Sequence, residues 1–115
     1  MIGSALRLAV LAGGLAVTSA HAGVPSLAEC AEGADFIANA AHARDNGIPR
    51  DDFIGRMQDD FEVIRAFPVS MRWFVKDRDD EHFLIAVATR VFDTPRPPER
   101  HRSEFLDLCL QRALA

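Results

Sequence analysis

The chain of 115 residues contains no tyrosine, only two cysteines and a single lysine, Lys76, among its thirteen basic residues. It also lacks a basic excess: the formal net charge is −4, which removes the electrostatic footprint a nucleic-acid-binding domain needs. Its longest apolar run, Leu8 to Val17, dissolves into Thr18, Ser19 and His21. That falls short of the ~20 residues required to span a bilayer. Six prolines and seven glycines are too few for a low-complexity polymer. With 49% hydrophobic and 26% charged residues, the composition is that of a folded domain and not of a disordered chain.

Equally absent are the spacings that carry chemistry. There is no H-E-x-x-H, no glycine-rich phosphate loop, no C-x-x-C and no haem-attaching C-x-x-C-H. Beyond residue 22 the hydroxyls are Ser26, Ser70, Thr89, Thr94 and Ser103. Ser26 suits a helix cap, and Ser103 beside His101 reads as helix-surface polarity, so no nucleophile has an evident base. The neighbours Asp51/Asp52 and Asp59/Asp60 read as solvated helix faces. Of the histidines His42, His82 and His101, only His82 has an acidic cluster beside it, Asp79-Asp80-Glu81, which capping and solvation explain. A calcium loop beginning at Asp77 fails because its sixth position is His82 and its twelfth is Ala88. The expectation is a protein with no catalytic, cofactor-binding or metal-binding residues; an enzyme of unrecognised type is the remote alternative.

What is present begins with a leader. Arg7 and the terminal amine precede the apolar run, and Ala20-His21-Ala22 places small residues at −3 and −1, the pattern of a secretory signal peptide cleaved after Ala22. No cysteine follows the run directly and no twin arginine precedes it, which points away from a lipid anchor and from export in folded form. Cleavage leaves residues 23–115 as a single domain, removes the cation Arg7 and makes the charge −5. All eight phenylalanines and Trp73 lie in this part. The expected location is the periplasm or the extracellular space, with no stable membrane insertion once the leader is gone.

Export places Cys30 and Cys109 where disulfides persist, and two cysteines allow one intramolecular pairing. A small domain with a limited core benefits from such a constraint. A redox pair or a zinc site would require shorter spacings or more ligands.

Helical periodicity dominates the rest. Ser26-Leu27-Ala28-Glu29 is a capping box opening a helix to about Asn46, with Cys30, Ala34, Ile37 and Ala41 inward and Gly47 suited to end it. A second helix follows Pro49, whose stripe is Phe53, Met57, Phe61 and Ile64 widened by Ile54, and Pro68 stops it. Val69 to Val75 suits a short helix or a strand; with helices on both sides and no partner strand, a short helix is expected. A third long helix carries Phe83, Leu84, Val87, Ala88, Val91 and Phe92 up to the proline-rich connector Asp93 to Pro98. The last, about Pro98 to Leu114, turns Phe105, Leu106, Cys109, Leu110 and Ala113 inward. The fold class is all-α: four main helices plus one short helix, the first and last joined by Cys30–Cys109.

Twelve of the thirteen basic residues are arginine. A GC-rich coding sequence accounts for this in part. Arg44, Arg65, Arg72 and Arg78 are also placed to pair in bidentate fashion with aspartates across interhelical loops, Asp45 is placed to reach another helix, and a guanidinium can stack on Trp73.

A leader, a first helix with one cysteine ending in Ala43-Arg44-Asp45-Asn46-Gly47, and a closing helix with the second cysteine together resemble small exported helical proteins of Gram-negative bacteria. The resemblance implies location and architecture and no activity. A more remote similarity is to acid-stress periplasmic chaperones of the HdeA type, small helical proteins held by one disulfide, although here the cysteines lie near the domain ends. The functional expectation is a non-enzymatic exported protein acting on a protein partner, with Phe67, Met71, Trp73 and Phe74 as its apolar patch. An acid-activated chaperone is the alternative, since protonating 17 acidic groups loosens helix packing.

Overall fold

Each helix begins where a cap or a proline dictates. In the computed structural model, which describes residues 25–115, the first helix α1 runs Leu27–Asp45. The expected leader, residues 1–22, lies outside the described residues. The Ser26 hydroxyl accepts from the Glu29 N–H and the Glu29 carboxylate accepts from the Ser26 N–H, both at 3.1 Å, which completes the capping box. At the other end Gly47 adopts φ +89°, the Gly47 N–H donates to the Arg44 carbonyl and the Ile48 N–H to the Ala43 carbonyl, both at 3.0 Å. Those two bonds form a Schellman motif, so Ala-Arg-Asp-x-Gly is first of all a helix terminator.

Helix α2 spans Arg50–Arg65 with Pro49 as its N-cap and Asp51 and Asp52 in the first turn, where carboxylates oppose the helix dipole. Helix α3 is Arg78–Asp93, capped by the Asp77 carboxylate accepting from the Asp80 N–H at 2.9 Å. Helix α4 is Pro98–Leu114, with proline in its first turn. Among the described residues there is no strand, and no helix is long and apolar enough to cross a membrane.

The expected short helix between α2 and α3 shrinks to one 3-10 turn, Val69–Met71, after which the chain is extended at Arg72. The cause lies in the Arg72 guanidinium. It donates to the carbonyls of Phe67 (3.0 Å), Lys76 (2.8 Å) and Arg65 (3.1 Å), satisfying by side chain the acceptors that a helix would satisfy by backbone.

The core is built on α1 and α4, which run antiparallel. Cys30, near the start of α1, is bonded to Cys109, near the end of α4, with their Cα atoms 5.6 Å apart and both side chains fully buried. One turn further along α1, Gly33 lies against Phe105 so closely that a Cβ there would sit 2.6 Å from the ring. Alanines 34, 38, 40 and 41 continue this thin face. Met57 and Phe61 of α2, Leu84, Ala88 and Val91 of α3, and Phe74 and Val75 of the connector complete the core. Phe105 meets Phe74 edge-on at 5.6 Å and Phe83 at 5.5 Å.

Candidate interaction groove

Helix α2 leans on α3 and scarcely approaches α1, although only a short turn separates them in sequence. Phe53 packs on Phe92 of α3 with ring centroids 5.5 Å apart, Met57 and Phe61 enter the core, and an ion pair ties each end. Arg50 Nη1 donates to both oxygens of Asp93, at 3.0 and 3.2 Å, at one end. At the other, Arg65 grips Glu81 in bidentate geometry, Nη2 to Oε1 at 2.6 Å and Nε to Oε2 at 2.9 Å. The Arg65 bond holds the Glu81 carboxyl below the usual range against the opposing effect of burial.

Between α1 and α2 this leaves an apolar groove, formed by two adjoining cavities of about 280 and 300 Å³ that share Phe36, Met57 and Asp60. Phe36 of α1 stands in the middle, its ring centroid 5.9 Å from Phe53 and 5.7 Å from Trp73. The Trp73 indole is fixed by its Nε1–H, which donates to Glu32 at 2.8 Å. Phe61, Ile64 and Leu84 line one end, Ile48 and Ala43 the other. Its polar lining consists of Asp52, Arg56 and Asp60, all exposed. None of the three enters an ion pair among the described residues.

The residues expected to form one apolar patch divide. Phe67 (46% exposed) and Met71 (70%) are on the surface with Val69, Trp73 is half-buried at the groove, and Phe74 (1%) belongs to the core. Phe74 is therefore corrected out of the patch: beyond the 3-10 turn the extended chain drives its ring in beside Phe83 and Phe105. The groove itself depends on Phe36, which stands off the Cys30–Ala34–Ile37–Ala41 stripe. A lone phenylalanine beside that stripe is the sequence signal that points to it.

The arginines also differ from expectation. Arg44 pairs with its neighbour Asp45 at 2.9 Å, so Asp45 reaches no other helix, while the guanidinium donates to the carbonyls of Val91 and Arg96, both at 2.8 Å. Arg65 takes a glutamate, Arg72 takes carbonyls, and Arg78 only approaches Glu81 at 4.0 Å. The guanidinium over an aromatic ring is that of Arg112 above Phe83, at 4.4 Å, and not one above Trp73. Asp80 and Glu81, expected to be solvated, are buried: Asp80 accepts from Arg112 and from the Lys76 N–H, both at 2.9 Å. Lys76 also pairs with Glu29 at 3.1 Å. Among the described residues no group of three or more His, Cys, Asp and Glu side chains is arranged to hold a metal ion.

His101 is buried where α1, α3 and α4 meet. Its Nε2 accepts from the Arg96 N–H at 3.1 Å and faces Arg44 Nη1 at 3.3 Å, so that nitrogen carries no proton. Burial, then the nearby Arg44 charge, push its pKa below 6.5. The unfolded chain thus binds a proton that the folded one refuses, and stability falls as pH drops below about 6.5. His101→Gln, which keeps an acceptor and cannot titrate, is expected to flatten the fall in thermal midpoint as pH drops through about 6.5. An unchanged slope in that variant would assign the effect to other groups.

No protein-family model, curated protein or solved structure matches this chain.

Proposed function

We propose that this is a non-catalytic exported protein that acts by binding another protein through the α1–α2 groove. The observation carrying this reading is the groove itself. In a domain this small, closing α2 onto α1 would bury Phe36, Phe53 and Ile48 further, and buried apolar area is the main source of stability. The packing of Phe53 on Phe92 of α3 and the ion pairs to Asp93 and Glu81 seat α2 against α3 instead, and an aromatic-lined cleft left open in this way suits a partner's apolar side chains. The titratable groups with displaced pKa values that sit inside the fold, Glu29, Glu81 and His101, are all used in structural contacts away from the groove. That supports binding over catalysis. Export is supported by the leader pattern at residues 7–22 and by the buried disulfide.

Site-specific photo-crosslinking tests this. Benzoylphenylalanine in place of Arg56, on the groove rim, is expected to yield a discrete protein adduct in the exported fraction, whereas the same group in place of Asp107, exposed on α4, yields none. Equal adducts from both positions, or none from either, would overturn the reading.

A further inference from the structure

Resting on the groove as the binding site, we infer that its occupant is a cationic amphipathic helix of a partner protein. The argument begins with where charge is left over. Most basic side chains are committed internally: Arg44, Arg50, Arg65, Arg96, Arg102 and Arg112 each pair with a carboxylate, and Lys76 with Glu29. Along α2 the reverse holds. Asp52, Asp59, Asp60 and Glu62 are exposed and enter no ion pair among the described residues, with Arg56 the lone base between them. Uncompensated negative charge therefore collects on the helix forming one wall of an apolar cleft.

That combination specifies a partner. An apolar stripe would cover Phe36, Phe53 and Ile48, and lysines or arginines flanking the stripe would meet Asp52 and Asp60. The walls are themselves helices, and the stretch from Asp52 to Ile64 is ~18 Å long at 1.5 Å per residue, which matches about three turns of a third helix laid between them. Charge argues against the other occupants. A second copy of this chain, itself of net charge −4, would bring acidic rim to acidic rim, and an anionic lipid surface would be repelled in the same way.

Trp73 is the only tryptophan and lines the groove, so its emission reports occupancy directly. Three helical peptides free of tryptophan and tyrosine, with one shared apolar stripe and net charges of about +4, zero and about −4, are titrated against the full chain with its disulfide intact. The cationic peptide is expected to bind about tenfold more tightly than the neutral one at low ionic strength, the anionic one not at all, and the advantage to shrink at about 0.5 M salt. Asp52→Asn with Asp60→Asn is expected to remove most of the cationic peptide's advantage over the neutral one, whereas Asp107→Asn, exposed and outside the groove, leaves that advantage intact. Equal binding of cationic and neutral peptides overturns the charge inference and leaves the groove reading standing. No peptide binding, with adducts still formed from position 56, overturns the inference in favour of a partner of other chemistry. No binding and no adducts overturn both. Self-association that quenches or shifts Trp73 and strengthens in the double variant identifies a second copy as the occupant and overturns the inference.

Discussion

Replacing Cys30 and Cys109 together by alanine is expected to lower the stability of the protein by about 4 kcal/mol, a large share of the roughly 5–15 kcal/mol that holds a domain folded. The bridge joins residues 79 positions apart, so nearly the whole described chain lies inside the loop it closes. In the chain-entropy model the restriction of the unfolded state grows with the logarithm of that separation, and here it reaches roughly 4.5 kcal/mol. Both sulfurs are fully buried between α1 and α4, so their loss also leaves a small void. Guanidinium unfolding of the wild type, with and without reductant, and of the double variant measures the effect. The expected result is a lower midpoint in the variant and a steeper denaturant dependence, because an unbridged unfolded chain exposes more surface. A loss below about 1 kcal/mol would mean that the α1–α4 contact restrains the unfolded chain without the bridge.

Phe105→Ala is expected to cost about 3–5 kcal/mol, the usual range for emptying a fully buried phenylalanine site. Its ring is the point where three parts of the fold meet: Phe74 from the connector, Phe83 from α3 and Gly33 from α1. The last contact makes the prediction sharper. Gly33→Ala would set a Cβ 2.6 Å from two ring carbons, and since Phe105 is hemmed in by other rings it cannot swing aside. Overpacking of this kind costs about 1–3 kcal/mol, partly offset by the helix propensity that alanine gains over glycine, about 1 kcal/mol. In a Phe105→Ala background the clash disappears and only the propensity gain remains, so Gly33→Ala is expected to change sign and become stabilising. A double-mutant cycle measured by chemical denaturation reads this directly, and additivity within about 0.5 kcal/mol would contradict it.

The helices were legible because their signals are local. Ser26 and Glu29, Pro49, Pro98 and Gly47 act within one turn of themselves, and the boundaries they mark lie within a residue or two of where the pattern places them. The segment Val69–Val75 was not legible in this way. Its conformation is decided by Arg72, whose side chain competes for carbonyls that local propensity would assign to a helix. The acidic run 79–81 misled for a related reason: two carboxylates adjacent in sequence look solvated until Arg65 of α2 and Arg112 of α4 arrive from elsewhere to neutralise them.

By itself the sequence determined an all-α chain of four helices and the one pairing open to two cysteines, because caps, prolines, 3.6-residue periodicity and a count of two need no knowledge of the rest of the molecule. Only the tertiary structure decided which face of α2 meets which neighbour. The stripe Phe53, Met57 and Phe61 suits either α1 or α3, and the choice is made by contacts distant in sequence: Phe53 packs on Phe92 of α3, Met57 and Phe61 enter the core, and Arg65–Glu81 and Arg50–Asp93 tie the two ends. That choice leaves Phe36 beside an open cleft, while the extended chain after the 3-10 turn sends Phe74 into the core; both outcomes depend on contacts between residues distant in sequence, which no local pattern displays.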